Sequence, residues 1–246
     1  MRHMPAPARR KRRPAVAAMV TLVALASAVP LQSKGVGDPA TRSTVSAIPL
    51  DALWKQRLYA FARDKLLHPA WGWSHSERNY ILAQRIAAEE GLSVDPDILF
   101  AASFVHDIGA IGDFQKEGVD HAVRSVELAE PLLRDAGFPQ EKLAAVGEAV
   151  LGHMHDKVSG RRNESIVLHD ADTLDFLGTV GVARRLSVTG SAPTYSGGVE
   201  RIREFADKLP QRLVTRSGRR MAVARVAEMR EFLDQLEAET LGGRLP

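Results

Sequence analysis

Seven of the chain's eight histidines lie between residues 68 and 169, and one stands beside an aspartate as His106-Asp107. Further along, the run from Asp170 to Asp175 places three carboxylates on a short stretch, two of them at Asp172 and Asp175. The chain has no cysteine, which removes disulfides, thiolate metal sites and a cysteine nucleophile. Imidazole and carboxylate without thiolate suit Mn²⁺, Fe, Co²⁺, Ni²⁺ or Zn²⁺, and Mg²⁺ where oxygen ligands dominate. An ion held this way polarises a phosphoryl oxygen and lowers the pKa of bound water, so hydrolysis is within reach of these residue types.

Such groups act together only if rigid elements aim them at one point. From residue 48 onward the apolar spacing is helical, and no stretch sustains a period of two. The spacing predicts helices near 49–67, 74–90, 96–107, 119–135, 140–155, 164–176, 178–188, 198–208 and 219–238. Gly91 suits a helix end, and Asp95-Pro96 suits a cap followed by a first-turn proline. One all-α domain is the simplest account. Helical periodicity then gives five core-facing stripes. They are His75, Asn79, Leu82 and Ile86; Leu99, Ala102 and His106; His121, Ser125, Leu128 and Leu132; Leu143, Val146, Val150 and His153; and Leu168, Asp172 and Asp175. A single inward histidine is ordinarily a hydrogen-bonded core residue, and His68 and His169 are read that way or as solvated. Five helices each directing a His or Asp inward point instead to a metal site, because buried ionisable groups are costly unless paired or metal-bound. His155 and Asp156 follow His153 closely, and their role stays open.

The order His75, His106-Asp107, Asp172 resembles the signature of the HD-domain superfamily of metal-dependent phosphohydrolases. GWSHSERNYILAQRIAAEEG at 72–91 and LFAASFVHDIG at 99–109 resemble its first two ligand helices. IVLHDADTLDFLGTVGVAR at 166–184 is similar to the fourth-ligand segment of a bacterial branch that includes nucleotide pyrophosphohydrolases. KLPQRLVTRSGRRMAVARVAEMREFLDQLEAE at 208–239 resembles that branch's C-terminal helix. The resemblance covers about 50–240 and implies a single HD-like helical bundle with the metal in its core. It implies His75, His106, Asp107 and Asp172 as ligands, Asp172 rather than Asp170 because of its Ala-Asp-x-Leu context. His121 and His153 match positions that hold a second ion in two-metal members, or face the phosphate in one-metal members. The branch has Arg where this chain has Thr173, and residues 153–156 match no part of its pattern.

Several charged residues are candidates for substrate or proton handling. Arg78, one turn past His75, and Lys116, in the loop before His121, could neutralise phosphate oxygens beside His106 and Asp107. Arg184 is a third such cation, and each of the three is equally readable as a solvated surface charge. Glu77, Asp113 and Asp175 are candidate proton carriers.

The leading expectation is therefore a metal-dependent phosphohydrolase acting on a phosphomonoester, phosphodiester or nucleotide. The alternatives are a di-iron HD-like oxygenase and a non-catalytic, ligand-sensing HD module. The expected partner is a small phosphorylated molecule, with no nucleic acid bound.

Charge supports that exclusion. The formal net charge is +3, but Arg2, Arg9, Arg10, Lys11, Arg12 and Arg13 all precede an apolar run from Ala15 to Ala28. A basic start, a short apolar stretch and Ala26-Ser27-Ala28 form the pattern of a secretory signal peptide over 1–28. Without those six, 27 Lys and Arg face 30 Asp and Glu, a mildly acidic balance. Residues 29–47 are expected to be a flexible lead, 48–240 the HD-like domain and 241–246 a tail. Export to the periplasm or medium follows, with membrane anchoring by an uncleaved leader as the alternative.

Overall fold

Helix boundaries follow the capping chemistry of the chain. Asp95 accepts from the backbone N–H groups of Asp97 and Ile98 at 2.9 and 3.2 Å, and Pro96 fills the first helical position, where no N–H is required. Asp120 caps the next long helix in the same way, through Ala122 and Val123. Gly91 ends its helix in the left-handed region, at φ 66°.

The computed structural model describes residues 42–190 and 194–242. Within them lie α1 (Leu53–Lys65), α2 (Trp73–Glu90), α3 (Pro96–Val105), α4 (His121–Ala136), α5 (Leu143–Leu151), α6 (Asn163–Asp175), α7 (Gly178–Ser187), α8 (Ser196–Lys208) and α9 (Arg216–Glu239). No β-strand occurs among the described residues, only an isolated bridge between Ser43 and Pro49. The fold is all-α.

Two expectations need correction. The segment expected as helix over 140–155 begins with a one-turn 3-10 segment, Gln140–Lys142, and its α-helix stops at Leu151. Gly152 ends it because the returning chain packs there: a Cβ would meet Gly160 N at 2.7 Å and Ser165 Oγ at 2.8 Å. His153 therefore lies beyond the helix, not on its face. Residues 42–47, part of the expected flexible lead, are pinned to α2 instead. Glu77 Oε2 accepts from Thr44 Oγ1 at 3.2 Å and from Ser46 N at 2.8 Å. The run expected as a signal peptide, 1–28, lies outside the described residues. No described helix is long and apolar enough to cross a membrane.

The core forms where α3 is enclosed on all sides, with Ile98 to Val105 buried without a break. Trp54 of α1 sets its ring edge-on to Phe100 and Phe138, with centroids 5.6 and 4.8 Å away. Leu58, Leu133 and Leu168 of α1, α4 and α6 complete the packing around it. This apolar block anchors the C-terminal end of α3, the point from which His106 and Asp107 project.

Candidate metal centre

Helix α6 is buried along almost its whole length, yet it carries His169, Asp170, Asp172, Thr173 and Asp175. Buried polar groups need partners, and accounting for them one at a time isolates the candidate ligand. His169 places Nδ1 3.0 Å from Gly152 O and Nε2 3.3 Å from Arg212 O. Asp170 accepts from Val214 N, Thr215 N and Thr215 Oγ1, and so holds the entry to α9. Thr173 donates to His169 O, and Asp175 binds His75, Arg78 and Arg184. Asp172 faces the histidines, with Oδ1 3.1 Å from His75 Nε2.

Four imidazoles and two carboxylates converge there. His75 Nε2 lies 3.1 Å from His106 Nε2 and 3.5 Å from Asp107 Oδ2. Asp107 turns its other oxygen, Oδ1, to His153 Nε2 at 3.4 Å and His121 Nε2 at 3.5 Å. One carboxylate thus faces two ligand sets. His75, His106 and Asp172 form one group able to hold an ion, and His106, Asp107 and His153 form another. Gly109 makes this approach close. Its N–H donates to Ser125 Oγ at 2.9 Å, and a Cβ there would meet His121 O at 2.5 Å. The 3-10 turn Ile108–Ala110 can lie against the start of α4 only because that Cβ is missing.

The histidine tautomers are set from behind. His106 Nδ1 donates to Ser103 O at 2.9 Å and His153 Nδ1 to Val150 O at 2.6 Å, so both rings turn Nε2 inward. Burial and the Arg184 guanidinium both disfavour charge on His75. The carboxylates of Asp107, Asp172 and Asp175 outweigh them and raise its pKa to about 9. Burial also pushes Asp172 and Asp175 up, but the adjacent His75 prevails and holds both below the usual carboxylate range. Burial lowers the pKa of His106 more than Asp107 raises it. The cluster is electron-rich, and protonated His75 supplies the compensating charge. These donors fit a divalent ion: bonds of about 2.1 Å to neighbouring ligands set those ligands about 3.0–3.4 Å apart, close to the 3.1–3.5 Å separations here.

The HD domain family matches residues 72–177, which span His75 through Asp175. Residues 72–177 of the chain thus carry an HD domain. An uncharacterized protein of Clostridium beijerinckii is 29% identical over 96 residues, covering 39% of this chain and 59% of that protein's length. A predicted HD superfamily hydrolase from an uncultured Thermotogales bacterium is 27% identical, with a TM-score of 0.53 over 75% of this chain and 91% of that one. Bacillus subtilis YpgQ in complex with ADP shares the fold at 23% identity, with a TM-score of 0.57 over 74% of this chain and 96% of that one. The fold is that of HD superfamily hydrolases.

Within this HD centre the remaining expected residues separate. Arg78 forks onto Asp175 through Nε and Nη2, at 2.9 Å each, with about a third of its side chain exposed. Arg184 is buried, not solvated. It donates to Ala70 O at 2.6 Å, pairs with Asp175 at 3.0 Å, lies against Phe176 and reaches within 3.3 Å of His75 Nε2. Asp175, expected as a proton carrier, is the common acceptor of His75, Arg78 and Arg184, an orienting role. Glu77 faces the 42–47 segment and does not join the cluster. Lys116 and Asp113 are exposed, and among the described residues no hydrogen bond or ion pair joins either side chain to the centre. Exposure without a partner is the ordinary state of a loop charge, so neither position is built into the centre. His68 accepts from Ala70 N and Trp71 N and stacks on Trp71, while His155 packs edge-on to Phe176 and Phe205. Sequence reasoning placed Asn79 on the His75 stripe but gave it no role. Its amide lies 3.2 Å from His75 Nε2 and 3.4 Å from both His106 Nε2 and Asp172 Oδ1. The available signal was a polar residue one turn from His75 on an otherwise apolar face.

Proposed function

We propose that the protein is a metal-dependent phosphohydrolase that cleaves a phosphomonoester, phosphodiester or nucleotide. The observation that carries this reading is the convergence of His75, His106 and Asp172 with Asp107 on buried, mutually adjacent donor atoms. These four residues would hold the ion. The mixed nitrogen and oxygen set favours Mn²⁺, Fe, Co²⁺, Ni²⁺ or Zn²⁺ over Mg²⁺. When bound, the ion supplies Lewis acidity toward a phosphoryl oxygen and acidifies its water.

The protein's own groups orient and balance that centre. Asp175 fixes His75 through Nδ1, and Asp107 and Asp172 bring two negative charges to a divalent ion. His75, His106 and His153 are fully buried, whereas the His121 side chain is 28% exposed. A substrate therefore approaches from the side of His121 and Asp107. There His121 and His153 either face the phosphoryl group or hold a second ion with Asp107. Arg78 is partly exposed and uses Nε and Nη2 on Asp175, which leaves Nη1, without a hydrogen bond among the described residues, as a group for a phosphate oxygen. The ADP in the YpgQ complex supports a nucleotide as the ligand class. The expected export is tested by N-terminal sequencing of protein recovered outside the cytoplasm. A leader retained there favours anchoring.

The experiment is direct. Protein loaded separately with Mn²⁺, Co²⁺ or Mg²⁺ should release phosphate or p-nitrophenol from nucleotides or p-nitrophenyl phosphate esters. Turnover that survives His106→Ala combined with Asp107→Ala removes the assignment. A second reading, a di-iron oxygenase, is favoured by Asp107 facing two ligand sets. Fewer than two irons per chain in anaerobically purified protein argues against it. Tight nucleotide binding with no product over hours favours a sensing module instead.

A further inference from the structure

Asn79 is fully buried in the middle of the ligand cluster, and its amide is used on one side only. The nitrogen, Nδ2, is 3.2 Å from His75 Nε2, 3.4 Å from His106 Nε2 and 3.4 Å from Asp172 Oδ1. Those three atoms belong to the first group able to hold an ion. The oxygen, Oδ1, is buried with no hydrogen-bond partner among the described residues. A buried acceptor left unsatisfied costs about 1–3 kcal/mol, so this orientation is poor for the oxygen and good only for the nitrogen.

The reason lies in what the cluster contains. Without an ion, the His106 Nε2 lone pair and the Asp172 carboxylate are open acceptors, and the amide N–H serves both. Once a cation occupies the gap, the same N–H points positive charge at positive charge, and the acceptors it served are committed to the ion. A half-turn about the Cβ–Cγ bond exchanges the two amide atoms with almost no change in shape. It brings the unpartnered oxygen to the place where a neutral oxygen ligand would bind.

We propose that the side-chain amide oxygen of Asn79 is an additional ligand to the ion held by His75, His106 and Asp172. The inference rests on the metal-centre reading above. Asn79 follows His75 by four residues, so α2 presents both on one face and supplies two ligands from a single rigid element. An amide oxygen raises the coordination number without adding charge, leaving Asp107 and Asp172 to balance a divalent ion. It also occupies a position that water would otherwise take.

Co²⁺ and Zn²⁺ titrations of the full chain test this, with affinity read by competition against a chromophoric chelator. Asn79→Val should bind Co²⁺ at least about 10-fold more weakly, since even a group that only supports a ligand is worth about 10- to 100-fold. Its visible Co²⁺ bands should change in position and intensity, as they do when coordination number falls. Asn79→Asp, which keeps an oxygen at the same reach, should restore both. In wild-type protein labelled with ¹³Cγ-asparagine, the Asn79 resonance, assigned by its loss in Asn79→Asp, should move on Zn²⁺ loading. An unmoved resonance overturns the proposal even where Asn79→Val does not fold. A folded Asn79→Val with wild-type affinity and spectrum overturns it too, while leaving the metal centre intact. Wild-type protein that takes up neither ion overturns the underlying metal reading instead.

Discussion

Asp175 and His75 are 100 residues apart in sequence and 2.7 Å apart in the fold, with Asp175 Oδ2 accepting from His75 Nδ1. The same carboxylate takes the fork of Arg78 and the buried guanidinium of Arg184. It decides which nitrogen of His75 faces the cluster and how basic that nitrogen is. Asp175→Asn keeps the shape but removes the charge. Metal affinity should fall about 10- to 100-fold, measured by chelator competition. Loss of a buried charge partner for Arg184 should cost about 3–5 kcal/mol, read from chemical denaturation of the metal-free protein. Wild-type affinity in a folded variant would show that His75 needs no such support.

The raised pKa of His75 gives the metal-free protein a pH dependence of definite sign. Its folded value is about 9, against about 6.5 in an unfolded chain. The stabilisation is thus complete below about pH 6.5 and is lost as pH rises through 9. With EDTA present, Tm should fall between pH 7 and pH 9.5. Metal uptake at pH 7 should displace the proton from His75, which calorimetry in buffers of different ionisation enthalpy will detect. A metal-free Tm that is flat over this window contradicts the assignment.

Gly109 controls the spacing between the two ligand sets. A Cβ at this position would meet His121 O at 2.5 Å and Ser125 N at 2.8 Å, both backbone atoms with little room to move. Gly109→Ala should cost about 1–3 kcal/mol through overpacking and should separate Asp107 from His121. Denaturation and hydrolysis assays on the variant should both register the change. Lost activity with unchanged stability would mean that the turn shifts without strain.

Asp170 and Asp172 are two residues apart on α6 and should behave oppositely. Asp170→Ala removes the acceptor for Val214 N, Thr215 N and Thr215 Oγ1. The expected loss is on the order of 2–3 kcal/mol, with metal stoichiometry preserved where the variant folds. Asp172→Ala should lose metal while keeping the α9 junction. Equal metal loss in both variants would contradict this division of roles.

Most helices were legible because their signals are local. Asp95-Pro96, Asp120 and Gly91 act through neighbouring backbone groups, so reading a few residues suffices. His75, His106 and Asp172 were legible because each continues an apolar stripe whose direction helical geometry sets. The weak points were long-range. Gly152 stops α5 because residues 159–160 return onto it, and Glu77 is buried because residues 44–46 close over it. Arg184 was open to reading as a phosphate-facing or a solvated cation because the sequence does not reveal that Asp175 and Ala70 O enclose it.

The sequence by itself determined the helical class, the chemical type of the candidate ligands and the faces from which most of them project. Those follow from residue chemistry and a fixed helical period. Tertiary structure alone decided that Asp107 faces two ligand sets, that Asp175 supports His75 and that Asn79 lies among the donor atoms. Such relations depend on distances between elements tens of residues apart. Packing sets those distances, and no local periodicity encodes them.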